Sequence, residues 1–245
     1  MKTLAVYFRK APFPAVLTAL SVLLFLAGSY YCLVESPVPM FLDEIPLAVP
    51  ALCFGTITSH TVRGKLNHFS SAFLTVLSII VLPVVLFFGI SFFSLDAESI
   101  PVTDVGSYSK VLRLNKYPSN ALIQDFPAKI PADAKNTKFL YHPEEWQGSE
   151  DFELRFDTVP DSLQKYETEF AAKAKWTGKF TDGDAEMHGI SRGDFELFPG
   201  GDLPDDFTIY LFDSEPYQGG WNHGTASLAA VSTKRQEVLF YADKW

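Results

Sequence analysis

The chain has 245 residues, with 20 basic, 29 acidic and 5 histidine side chains and a formal net charge of −9. The charge is unevenly spread: residues 1–95 carry five Lys or Arg and three Asp or Glu, so residues 96–245 hold 15 basic and 26 acidic groups, a net of −11. Phosphate backbones repel so acidic a segment, which argues against nucleic-acid binding and against docking on anionic lipid through this segment.

The first element in chain order is an uncharged apolar run over residues 14–34, long enough to cross about 30 Å of hydrocarbon as a helix. Pro12 and Pro14 stand at its start, where a missing N–H costs little. Tyr30 and Tyr31 stand near its far end, where interfacial aromatics belong. Lys2, Arg9 and Lys10 precede it. The small residues Ala27, Gly28 and Ser29 would suit a signal-peptide cleavage site, but the apolar run continues past them, which favours a retained span.

The next segment, residues 45–59, is apolar but short and contains Pro46 and Pro50. Taking in Asp43 and Glu44 extends it to 43–59. Length alone leaves it open between a full span and a re-entrant or interfacial piece. Residues 69–93 form the clearest span, dense in Leu, Ile, Val and Phe, with Pro83 in the middle expected to kink it.

Charge placement arbitrates the middle segment. Residues 35–44 carry Glu35, Asp43 and Glu44 without a base, and residues 60–68 carry Arg63 and Lys65 without an acid. Under the positive-inside rule every loop agrees if there are three spans. The N-terminus is then cytoplasmic and the C-terminal part extracytoplasmic. The expected domains are a transmembrane region at 1–94, a polar linker at 95–106 and an extracytoplasmic domain at 107–245. The span interiors hold no ionisable residue, which argues for an anchor over an ion-coupled carrier.

Beyond the linker, residues 108–116 read as a strand or a short helix and residues 120–126 as a short helix ended by Pro127. Residues 137–141 (TKFLY) read as a strand. Residues 151–157 (DFELRFD) alternate, with Phe152, Leu154 and Phe156 on one face. Residues 160–175 form the best helix, with Asp161 or Thr158 as cap and Leu163, Tyr166, Phe170 and Ala174 on its apolar face. Residues 207–212 form a strand, and residues 224–232 and 236–242 a hairpin through Thr233, Lys234 and Arg235. The predicted fold of this half is α+β: a mostly antiparallel sheet with one main packed helix, behind three helical spans.

Several residues late in the chain carry a family likeness. Phe126-Pro127, Ile130-Pro131, Ala134-Lys135, Phe139 and Tyr141, with Tyr241-Ala242 and Trp245, resemble membrane-anchored proteins of Gram-positive bacteria with no assigned activity. The resemblance implies a place at the cell envelope and no functional residue. The two cysteines, Cys32 and Cys53, lie in the apolar half, so the C-terminal half has neither a disulfide nor a Cys-ligated zinc.

Candidate chemistry is sparse. Asp182, Asp184, Glu186 and His188 alternate, and on a strand would share one face able to take a hard cation. Met187 and Gly193 occupy the sixth and twelfth positions, which rules out an EF-hand loop. His142 with Glu144 and Glu145 makes an acid–base set in principle. Tyr217, Trp221 and His223 lie in a glycine-rich loop, where an exposed aromatic could stack on a sugar or peptide ligand. Gly-x-Ser-x-Gly and Ser-x-x-Lys motifs are missing, and no Lys-Ser/Thr follows the glycines at Gly200-Gly201.

The sequence therefore favours a membrane-anchored extracytoplasmic binding or interaction domain of unknown ligand. Its expected partners are the lipid bilayer and an envelope protein or cell-wall ligand, with no cofactor. Two alternatives stand beside it: a metal-assisted envelope hydrolase and an accessory subunit of a membrane complex.

Overall fold

The computed structural model describes residues 2–36, 44–98, 100–143, 150–182, 190, 192–216 and 224–245. It divides into two compact units, residues 1–97 and 98–245.

The first unit is helical. Helix α1 spans Lys2–Lys10 and α2 spans Pro12–Tyr30, continued by a wider turn over Tyr31–Glu35. Ala11 leaves helical geometry (φ −140°, ψ 61°) because Pro12 crowds the residue before it. Helix α3 covers Glu44–Val62 and α4 covers His68–Glu98. Three stretches are long and apolar enough to cross a membrane, over Pro12–Glu35, Ile45–Val62 and His68–Ser91.

The middle helix runs unbroken through both of its prolines, as α4 does through Pro83. Pro46 falls in the first turn, where its missing N–H has no intrahelical partner to lose. Pro50 is internal and forfeits one bond. Small and hydroxylated residues let α2, α3 and α4 approach. A Cβ added at Gly28 would sit 2.5 Å from a Leu47 methyl, and one at Gly89 3.2 Å from the Pro46 ring. Thr18 and Thr58 share a hydroxyl hydrogen bond of 3.1 Å, and Thr61 donates to Ser71 at 2.9 Å. Such contacts join apolar helices through close backbone approach and hydroxyl hydrogen bonds.

The second unit is built on a six-stranded antiparallel sheet. Its strands are β1 (Lys135–His142), β2 (Glu150–Asp157), β3 (Trp176–Gly178), β4 (Thr208–Pro216), β5 (Gly224–Ser232) and β6 (Glu237–Lys244). They stand in the order β1-β2-β6-β5-β4-β3. Among the described residues, two α-helices belong to this unit, α5 (Tyr108–Leu114) and α6 (Pro160–Lys173). Residues 108–116 are thus mainly helical, and 120–126 form a run of turns in place of the expected helix.

Antiparallel partners point to one side, so the register sorts the faces. Phe152, Phe156, Phe240 and Tyr210 share one face. Of these, Phe156, Phe240 and Tyr210 meet Tyr166 and Phe170 of α6, with ring centroids 5.4–6.1 Å apart. Leu211, Leu228, Leu239 and Tyr241 share the other face. There Ile190, Phe195, Phe198, Leu203 and Phe207, on largely irregular chain, cover them. Both faces are therefore buried, which is why β5 and β6 read as nearly continuous apolar runs.

Neither expected residue caps α6. Its N-cap is Val159, with Pro160 at the first position and no side-chain capping bond. The Thr158 hydroxyl instead donates to Asp133 at 2.7 Å. Asp133 also accepts from Ser162 and from the Val159 backbone, so a carboxylate from the loop before β1 serves the helix start, and those bonds strengthen its acidity.

Val102, in the stretch read as a linker, packs along this unit. It exchanges two backbone hydrogen bonds with Tyr141, at 2.8 and 3.0 Å, along the outer side of β1. An edge strand leaves a row of unpaired backbone groups, and Val102 occupies part of that row.

Candidate functional site

The site grows from the polar positions of β2. Alternation puts Asp151, Glu153 and Arg155 on the face opposite Phe152, Leu154 and Phe156. On a one-sided sheet these charges would face water. Here chain between Arg192 and Phe207 lies over that face, so each needs an account.

Glu153 and Arg155 have structural ones. The Glu153 carboxylate accepts the backbone N–H of Glu196 at 2.6 Å and of Leu197 at 3.1 Å. Arg155 donates to the Leu197 carbonyl at 3.0 Å and to Glu237 at 2.6 Å, with its guanidinium 4.1 Å from the centre of the Phe198 ring. Together they fasten the covering segment to the sheet. Burial pushes the Glu153 carboxyl up to about 7, against the pull of its two backbone donors.

Asp151 has no such account. Register places it directly opposite His142 on β1 and opposite Asp243 on β6. The three form a row across adjacent strands on one face. Like charges facing each other across strands are destabilising. The Asp151 Oδ1 is shut off from solvent and has no hydrogen-bond partner among the described residues. Burial first, then the neighbouring carboxylates Glu153, Asp243, Glu196 and Asp194, push its acid group up to about 9. Asp243 is raised to about 6, chiefly by burial, while a hydrogen bond from Tyr241 works in the opposite direction.

These groups line an open cleft of about 350 Å³ with Asp194, Gly193 and Glu196. His142 Nε2 stands 3.2 Å from Glu196 Oε2. Burial and the surrounding carboxylates thus make Asp151 a much weaker acid than Asp243, its partner across the strands. Environments that split the acidity of adjacent carboxylates mark sites of proton handling or cation capture. A larger groove of about 480 Å³ lies between α6 and the chain before β1. Charges along it are already paired, Lys173 with Asp125 at 2.8 Å and Asp133 with the start of α6.

Of the residues singled out from sequence, the structure brings His142 into the cleft and supplies Glu196 and Asp151 as its neighbours. Asp182 ends a short turn over Phe180–Asp182, and its carboxylate accepts the Lys179 N–H at 2.8 Å, which ties it to the local backbone. Asp184, Glu186 and His188 lie outside the described residues, as do Tyr217, Trp221, His223, Glu144 and Glu145. Among the described residues no three His, Cys, Asp or Glu side chains are placed to hold one metal ion.

Sequence reasoning misses Asp151, Glu153, Asp243 and Glu196, because alternation on β2 reads as a solvated polar face. The available signal is β6, whose Leu239 and Tyr241 are apolar on that same face, so the face has to be covered. Comparison with known proteins adds no template: no family model, no curated protein and no solved structure matches this chain.

Proposed function

We propose that the chain is a membrane-anchored binding module whose sheet unit stands outside the cytoplasmic membrane and takes a cationic group in the Asp151–Asp243 cleft. The anchor reading is supported by apolar side chains on the long helices that nothing in the unit covers: Phe69 is 82% exposed, Leu24 70% and Leu52 68%. Lipid is the solvent such a belt requires. The outside placement draws on the basic residues: Arg9 and Lys10 gather at the same end of the bundle as the α3–α4 turn, which carries Arg63 and Lys65.

The ligand class rests on one observation, the Asp151 carboxyl facing Asp243 with its enclosed Oδ1 unmatched. An ammonium or guanidinium in the cleft pairs with the carboxyl groups that line it and lets Asp151 release its proton. Affinity for a cation should therefore rise as pH increases from 6 to 9, through the raised values of Asp243 and Asp151.

Calorimetry of the full chain in detergent micelles, with an N-acetylated lysine-containing tripeptide and its glutamate counterpart, tests this. The expected result is binding of the lysine peptide alone, with proton release, and a loss of at least about tenfold in Asp151→Asn with Asp243→Asn. Equal binding of both peptides, or an unchanged affinity in the double variant, overturns the ligand class.

A further inference from the structure

A second cavity lies in the helical unit and is opposite in character. It has a volume of about 560 Å³ and is lined by Val6, Arg9 and Lys10 of α1, by Val62 at the end of α3, and by Gly64 and His68 around the α3–α4 turn, with Thr61 behind. Its geometry follows from Ala11. The break before Pro12 turns α1 away from the line of α2, and α1 packs on α3 as well. The basic last turn of α1 is thereby carried to the turn between α3 and α4.

Among the described residues, the lining has three nitrogen-bearing side chains and no carboxylate. Arg9, Lys10 and His68 are exposed and border a space that protein does not fill. Thr61 is occupied elsewhere, its hydroxyl hydrogen-bonded with the Ile57 carbonyl at 2.8 Å and with the Ser71 hydroxyl at 2.9 Å. His68 opens α4, a helix of 31 residues, so the positive end of its dipole adds to the side-chain charge. The Asn67 side chain accepts the first-turn amide of Ser70, at 2.7 Å. Val6 and Val62 give the same cavity an apolar side.

Basic donors and apolar side chains bordering one cavity at the end of a helix bundle match a phosphate group attached to something greasy. We propose that this cavity binds the phosphate of an anionic phospholipid, with Arg9, Lys10 and His68 as its donors. The proposal rests on the membrane reading above. Detergent separates the two failures: a chain that stays monodisperse in buffer without detergent or lipid sinks the membrane reading whatever the cavity binds.

The test uses the full chain in nanodiscs. One arm compares phosphatidylcholine discs with discs containing phosphatidylglycerol. A second adds millimolar inorganic phosphate to phosphatidylcholine discs. Thermal stability and retained lipid, read by native mass spectrometry, are the observables. The expected result is stabilisation and lipid retention with phosphatidylglycerol, reduced about tenfold in Arg9→Gln with Lys10→Gln. The charge-matched pair Arg63→Gln with Lys65→Gln, outside the lining, should retain it. Stabilisation by inorganic phosphate alone, lost in the Arg9/Lys10 variant, keeps the phosphate site but overturns the lipid as its source. No stabilisation in either arm, or equal loss in both variant pairs, overturns the site.

Discussion

Three carboxyl groups on the covered face of the sheet carry raised pKa values, and this has a definite sign for stability. Asp151, Glu153 and Asp243 all hold their protons more tightly folded than unfolded. Each therefore contributes stability that is complete below its unfolded value, near 4, and is lost as pH rises through its folded value. The Asp243 contribution is gone above about pH 6 and that of Glu153 above about 7, while that of Asp151 persists to about 9. Between pH 7 and 9 the fall belongs mainly to Asp151, at about 1.4 kcal/mol per pH unit for one proton. Asp151→Asn keeps the shape and removes the titration. Urea unfolding of the sheet unit within the full chain, followed by near-ultraviolet circular dichroism, should show a flatter stability profile over pH 7–9 for this variant. A profile parallel to that of the unaltered chain would mean that Asp151 is not held neutral in the fold.

Helix α6 and the strands beneath it depend on aromatic contact more than on helix propensity. Phe170 is the hub: its ring meets those of Tyr166, Tyr210, Phe212 and Phe240 at 5.4–5.8 Å. Removing it leaves a void bounded by four rings that cannot all move inward. Phe170→Ala should cost about 3–5 kcal/mol. Val159→Ala, at the exposed start of the same helix, should change stability by less than about 0.5 kcal/mol. Denaturant titration of both variants checks the contrast, and similar losses would show that the helix is not anchored through its aromatic face. The strands are legible in sequence wherever one face alternates, as in DFELRFD. The cap of α6 is not. Asp133 and Thr158 are 25 positions apart, and only the pairing of β1 with β2 carries the carboxylate back to the start of the helix. No local pattern joins Asp133 to Ser162.

For the whole molecule, the membrane arrangement proposed above turns on the side on which the sheet unit stands. An odd number of crossings separates it from the N-terminus, and an even number does not. The α3 helix decides which, and its 19 residues extend about 28 Å, close to the hydrocarbon thickness. Protease added to intact spheroplasts should therefore digest residues 98–245 and leave the helical unit protected. Protection of the sheet unit until lysis would place it in the cytoplasm and overturn the three-span arrangement, while leaving the two long helices as spans.

The sequence by itself determined the two long apolar runs, five of the six strands and the charge asymmetry between the halves. These are local properties: run length, a period of two, and the count of charged groups are all readable without knowing what packs where. His142 was legible as a polar group after a strand, but its neighbours were not. Asp151 and Asp243 are far apart in the chain and face each other only because β6 pairs with β2. Their raised pKa values need the segment around Glu196 and Leu197 to lie over them, and Glu153 holds that segment through backbone groups that carry no sequence signal. The basic cavity has the same character: Arg9 and His68 border one space because the chain breaks at Ala11 and α1 packs back on α3. Periodicity fixes which face a side chain takes, whereas pairing register and the covering layer decide whether that face meets water, and only the tertiary structure contains those.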